Sequence, residues 1–189
     1  YYTTGGAVSS LFTVNSTTGA LSFITAPDYE NPTDSGTNNV YDVTVQVSDG
    51  SNTDSQAIAV SVTNVNEASP VITSDAGGTA AAVSVAENTS SVTTVTATDA
   101  DAGSKLTYSI TGGADSAKFT VNSTTGALSF ITAPNYEAPN DAGTNNVYDV
   151  TVQVSDGSNT DSQAIAVSVT NVNEAPVVTS SVSFTASTL

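Results

Sequence analysis

Apolar and polar side chains alternate along much of the chain with a period of two. Tyr148, Val150, Val152 and Val154 are separated by Asp149, Thr151 and Gln153, the pattern of a strand with one face on a core. Ile165, Val167 and Val169 alternate with Ala166 and Ser168 in the same way. Leu106, Tyr108 and Ile110 form another such face, and Leu128 with Phe130 a fourth. Residues 82–86 and 91–98 read as two strands that open this set. Between the runs lie Glu87-Asn88-Thr89, Asn122-Ser-Thr-Thr-Gly126 and Asp156-Gly157-Ser158-Asn159, built from residues that favour turns. Gly19 and Gly126 sit where a hairpin needs a positive φ. No helical stripe competes. About seven short strands in roughly 107 residues predict an all-β fold, a β-sandwich.

The pattern occurs almost twice. Residues 12–68 recur at 119–175 with an offset of 107, and the two copies differ at only four positions: Asp28/Asn135, Asn31/Ala138, Thr33/Asn140 and Ser35/Ala142. Tyr1 aligns with Tyr108, and Pro70-Val-Ile-Thr-Ser aligns with Pro176-Val-Val-Thr-Ser. The expected domains are therefore 1–68, a repeat without its opening third; 69–175, a complete repeat; and 176–189, the start of a third. Near-identity of this kind is expected of a window on a longer array.

Composition narrows the chemistry. Two lysines and no arginine or histidine stand against 18 acidic residues, for a net charge of −16. Such a surface repels nucleic acid and anionic membranes and attracts cations. Without cysteine there is no disulfide framework and no thiolate metal site. No apolar run approaches the roughly 18 residues of a membrane helix, so no membrane insertion is expected in this segment. No signal peptide opens the chain, which says nothing about export when the chain starts inside a repeat.

The acidic residues gather in turns: Asp99-Ala-Asp101-Ala-Gly103, Asp28-Tyr-Glu30 and its counterpart Asn135-Tyr-Glu137, Asn64-Val-Asn66-Glu67 and Asn171-Val-Asn173-Glu174, with Glu87 and Asp156. A sandwich brings such loops to its two ends. Carboxylates, amide oxygens and backbone carbonyls with no nitrogen or sulfur donor suit calcium, a hard cation taking about six to eight oxygens. They do not suit zinc or copper. Two known calcium loops are excluded. From Asp99 the glycine comes one place too early for an EF-hand, and Ile110 stands where its bidentate Glu belongs. Gly112-Gly-Ala-Asp115 lacks the third glycine of the nonapeptide repeat.

Six motifs follow one another in order: Val85-Ala-Glu87-Asn88, Ala97-Thr-Asp99-Ala-Asp101, Phe119-x6-Gly126-x-Leu128, Asn135-Tyr-Glu137, Tyr148-x7-Asp156-Gly157 and Val172-Asn173-Glu174-Ala-Pro176. In these the sequence resembles the cadherin repeat, in the bacterial cadherin-like form of large surface adhesins. The resemblance covers the whole chain and implies tandem Greek-key sandwiches that bind Ca2+ between consecutive repeats. Carried over, it implies Asp28, Glu30, Asn66 and Glu67 with Asp99, Asp101 and Asp156 as ligands at the first junction, helped by backbone carbonyls near Val65 and Ala68. At the second junction it implies Glu87, Asn135, Glu137, Asn173 and Glu174. Glu67-Ala68 and Glu174-Ala175 depart from the family's usual Asp–Asn pair before the proline. Asn135 puts a neutral ligand where Asp28 puts a charge, so the second junction is expected to bind more weakly.

The expected function is a calcium-rigidified extracellular array of a cell-surface adhesin, adhesive or spacer. Its partners would be calcium ions, neighbouring repeats or like chains, and a cell-surface or matrix ligand. The alternative is a structural subunit of an extracellular filament or surface layer assembled by strand complementation. Simpler readings stand beside these. Asp34, Asp42, Asp54, Asp141, Asp149 and Asp161 read as solvated or turn residues, and Tyr29 and Tyr136 as packing residues. Asn15, Asn88 and Asn122 head Asn-x-Ser/Thr patterns, read as chance. Asp28 with Glu30, or Asp99 with Asp101, could be a hydrolytic carboxylate pair. Yet loop residues two apart do not face each other across a substrate, and no His base, Cys nucleophile or Trp platform accompanies them. Neither an enzyme nor a carbohydrate-binding module is expected.

Overall fold

The structure is a computed structural model that describes residues 1–177. Apart from Pro176 and Val177, the third repeat expected over 176–189 lies outside the described residues. Tyr1–Val71, Ala97–Thr107 and Val154–Asp161 form one compact unit. Ile72–Thr96, Tyr108–Gln153 and the described residues from Ser162 onward form a second. No helix among the described residues is long and apolar enough to cross a membrane.

In the first unit the strands are β1 (Tyr2–Gly5), β2 (Phe12–Val14), β3 (Leu21–Phe23), β4 (Val40–Ser48) and β5 (Thr53–Ser61). One sheet has the order β1-β4-β5, and β2 pairs with β3. Antiparallel register sets Tyr41 opposite Val60 and Val43 opposite Ile58, which puts alternate apolar residues on one face. Val8, Phe12, Tyr41 and Val43 form the buried core, with Leu21, Phe23 and Val62 among the side chains packed on it. Phe12 and Phe23 lie 4.4 Å apart, and Tyr41 meets Phe23 edge-on at 5.2 Å. Such ring pairs add about 0.5–1.5 kcal/mol beyond their area.

A short ribbon joins β6 (Val71–Ile72) to β9 (Ala97–Thr98). The remaining strands are β7 (Ala80–Ala86), β8 (Ser91–Thr94), β10 (Thr107–Gly112), β11 (Phe119–Val121), β12 (Ala127–Phe130), β13 (Val147–Ser155) and β14 (Thr160–Thr170). They form two sheets, β10-β13-β14-β7 and β11-β12-β8. The alternating residues Tyr148, Val150, Val152, Ile165, Val167 and Val169 are all buried, as the period of two requires. Phe119 stacks on Phe130 at 4.5 Å, and Phe130 meets Tyr148 edge-on at 5.1 Å. The first and last strands of this set, β7 and β14, pair in parallel, from Ala80 opposite Ala164 to Ala86 opposite Thr170.

Local details depart from the alternation. The run 91–98 is two strands, interrupted at Val95 and Thr96, because the 122–126 turn passes directly against it. Val95 donates its N–H to the Gly126 carbonyl at 2.9 Å. Gly126 has φ 72°, and a Cβ there would stand 2.0 Å from the Val95 oxygen. Only glycine satisfies both demands. Leu106 falls just outside β10 and is half-buried. The three-residue strand β11 and the 3-10 turns Ser9–Leu11 and Ser116–Lys118 are too short to leave a period in the sequence.

Candidate metal centre

The acidic turns fold locally by capping their own backbone. Asp99 Oδ1 accepts the Asp101 N–H at 2.8 Å. Asp156 Oδ1 accepts from Ser158 and Asn159 at 2.7 and 2.6 Å. Asp28 Oδ1 accepts from Glu30 and Asn31, both at 3.0 Å. Asp and Asn favour such turns because a short side-chain oxygen reaches the N–H two or three residues on. In each case one oxygen holds the turn.

Within the first unit these turns converge. Glu30, Glu67 and Asp101 each offer an oxygen within 4.8 Å of the others, and so do Asp99, Asp101 and Asp156. Asp101 belongs to both groups and is only 5% exposed. Its Oδ2 accepts the Ala68 N–H at 3.0 Å, and Glu30 Oε1 accepts the Ala102 N–H at 3.3 Å. Asp99 Oδ2 is buried and has no hydrogen-bond partner among the described residues. Asn66 Oδ1 lies 3.2 Å from Asp101 Oδ2 and 3.0 Å from Asp156 Oδ2. The amide can satisfy that meeting by turning its nitrogen to the carboxylates, or by sharing a cation with them through its oxygen.

The electrostatics point the same way. The Glu67 carboxyl titrates above its ordinary value, through desolvation first and then the negative charges of Asp101, Glu30 and Asp28. Asp156 titrates low, chiefly because the Asn159 N–H stabilises its carboxylate. An oxygen-only donor set, an orphaned buried carboxylate oxygen and mutual repulsion at Glu67 fit a hard divalent cation.

A second group, Glu87, Glu137 and Glu174, lies in the second unit with oxygens within 4.8 Å of one another. Glu87 is buried, and its two oxygens accept the Val172 and Tyr136 N–H groups at 2.8 and 2.9 Å. Those two bonds, Val172's the larger, hold its carboxyl below the ordinary range. Asn88 Nδ2 donates to Glu174 Oε1 at 2.8 Å, and Asn171 Nδ2 donates to Glu137 Oε1.

The expected ligands thus divide. Glu30, Glu67, Asp99, Asp101 and Asp156 are brought together with Asn66, and so are Glu87, Glu137 and Glu174. Asp28 lies outside these carboxylate groups and caps its own turn, and Asn135 caps the equivalent turn, accepting the Ala138 N–H at 3.0 Å. Asn173 is exposed. Asn64 uses its amide as a donor, to the Ala102 carbonyl at 3.0 Å. Asn15 and Asn122 each cap a turn, accepting two backbone N–H groups.

Several residues escaped the sequence reading. Asn159 Nδ2 donates to Asn66 Oδ1 at 3.1 Å and to the Ala68 carbonyl at 2.8 Å, inside the first cluster. Its place in an Asp-Gly-Ser-Asn turn signalled only the turn. Asp42, Asp54 and Asp149 are exposed as expected. Asp34 and Asp141 are turn residues too, but they are buried and not solvated, because loop N–H groups close around them. Asp115 is also buried, accepting from Ala142 and Asp149. Tyr29 is half-buried, whereas the Tyr136 ring is exposed and its peptide group makes the contacts.

Residues 81–173 match the family model of the cadherin domain. Over that segment the chain is similar to cadherin domains. Solved cadherin structures share the fold. A mouse Cadherin-23 EC22-24 structure is 24% identical, with TM-score 0.62 over 86% of this chain and 50% of that one. The protocadherin GammaB4 extracellular domain is 23% identical, with TM-score 0.61 over 88% of this chain and 26% of that one. Human protocadherin-24 EC1-2 is 22% identical, with TM-score 0.63 over 89% and 80%. The chain spans half or less of the first two structures. No curated protein matches the sequence.

Proposed function

We propose that the chain is a calcium-binding stretch of an extracellular cadherin-like array, serving a cell-surface adhesin of the bacterial cadherin-like type as adhesive or spacer segment. Its repeats divide at 1–68, 69–175 and 176–189. The observation that carries this reading is the buried Asp99 oxygen, without a partner among the described residues and set among Asp101, Asp156 and Asn66. Glu30, Glu67, Asn66, Asp99, Asp101 and Asp156 would hold calcium there, and Glu87, Glu137 and Glu174 would hold it in the second unit. Bound calcium would supply positive charge that several carboxylates share. Asn66 and Glu67 belong to the segment that follows β5, while Asp99, Asp101 and Asp156 belong to two later loops. Without a cation their charges push these segments apart; with one, the segments are held in a single arrangement. Stiffening repeated along an array would project an adhesive surface. Like chains, and a ligand on a cell or matrix, are the partners this reading implies.

The test is a calcium titration of residues 1–189, following thermal unfolding and sedimentation, beside an Asp99→Asn/Asp101→Asn variant. Calcium should raise the wild-type melting point, one site adding about 2.7 kcal/mol at a hundredfold excess over Kd. The variant should lose that response at the first cluster. A wild type indifferent to millimolar calcium would reduce the acidic loops to a solvated surface and end the proposal.

A further inference from the structure

Asn39 and Asn146 occupy equivalent places 107 residues apart, and both hold left-handed backbone, with φ 60° and 62°. Each makes the same three links within its own unit. The backbone N–H donates to a buried carboxylate, Asp34 or Asp141, at 3.0 Å in both copies. The carbonyl accepts the N–H of Val62 or Val169, at 2.9 and 2.8 Å, two residues before Asn64 or Asn171. The side-chain Nδ2 donates to the carbonyl of Tyr29 or Tyr136, at 3.0 Å in both. Those tyrosines immediately precede Glu30 and Glu137.

The carboxylate and the strand already hold the loop backbone without the third link. The amide also comes at a cost, because its Oδ1 is buried without a partner among the described residues in both copies. What the side chain does is grip the peptide from which the acidic residue follows. In the second unit the Tyr136 backbone is held on both sides, its N–H by Glu87 Oε2 at 2.9 Å and its carbonyl by Asn146.

We propose that Asn39 and Asn146 are positioning residues for the two cation sites. Each ties the Asx-Tyr-Glu turn to the end of the closing strand, and so sets where Glu30 and Glu137 present their carboxylates. The inference rests on the calcium reading above. Groups that orient a metal's ligands typically change its affinity by 10–100-fold when removed.

Asn39→Gly and Asn146→Gly, made singly and together in residues 1–189, separate this role from plain structure. Glycine accepts the left-handed backbone without strain and deletes only the side chain. Calcium affinity by calorimetry should fall about tenfold in the double variant, while its melting point in chelator matches the wild type. Unchanged affinity would overturn the proposal. So would a melting point that drops equally in chelator and in calcium, which would make the amide structural. A wild type that binds no calcium would instead remove the functional reading itself, an outcome distinct from both.

Discussion

At Asp34 and Asp141 a carboxylate stands in for the water that a loop backbone otherwise needs. Asp141 accepts the Asn145 and Asn146 N–H groups at 2.9 and 3.0 Å; Asp34 accepts from Gly36, Asn38 and Asn39, all at 3.0 Å. Burial is the largest single influence on either carboxyl and pushes it up, but the N–H groups together outweigh it and hold both low. A carboxylate with a folded pKa below its unfolded value of about 3.9 adds stability that is fully present above that pH. The stability is lost as pH falls through the folded value. In chelator, Asp141→Asn should therefore melt below the wild type at neutral pH, and the gap should close as pH drops from 5 toward 2. A gap independent of pH would show that the charge contributes nothing. The sequence carries the turn in Asp141-Ala-Gly-Thr-Asn-Asn. It does not carry the burial, which depends on partners the turn cannot name.

Two strands show the same limit at the scale of the element. Residues 53–63 and 160–170 are identical, Thr-Asp-Ser-Gln-Ala-Ile-Ala-Val-Ser-Val-Thr. In β14 alternate residues of that sequence are buried, and Gln163 is wholly enclosed, donating to the Gly78 carbonyl at 3.2 Å. In β5 none is fully buried, and Gln56 is exposed. The difference is the neighbour: β14 lies between β13 and β7, while β5 pairs only with β4 among the described strands. Alternation tells which face of a strand is apolar, and it told that correctly for both copies. It cannot tell how many strands flank it, nor that β7 would run parallel. Amide exchange resolved by NMR on residues 1–189 should find 164–170 protected throughout and 57–63 protected far less. Equal protection of the two identical segments would mean that β5 has a second partner.

Over the whole molecule, the composition of 18 acidic residues against two lysines pointed to acidic clusters that could take a cation before any fold was known. Loop positions narrowed the candidate ligands to a short list. Which oxygens face one another was not legible, because it depends on turns such as that at Asp99, whose first oxygen is already engaged. A charge of this size also weakens the folded state by self-repulsion. In chelator, sodium chloride at about 0.1 M, where the screening length is about 10 Å, should raise the melting point. Saturating calcium should shrink that salt effect, since the closest repulsions are then already neutralised; an undiminished effect would place the repulsion elsewhere. The parallel pairing of β7 with β14 has another consequence, for how the chain bears load. Tension enters at Ala80 and leaves at Thr170, which lie at opposite ends of a seven-pair ladder. A pull along the chain therefore shears all the rungs together instead of peeling them one at a time, so that the first strand and the last act as a mechanical clamp on everything folded between them.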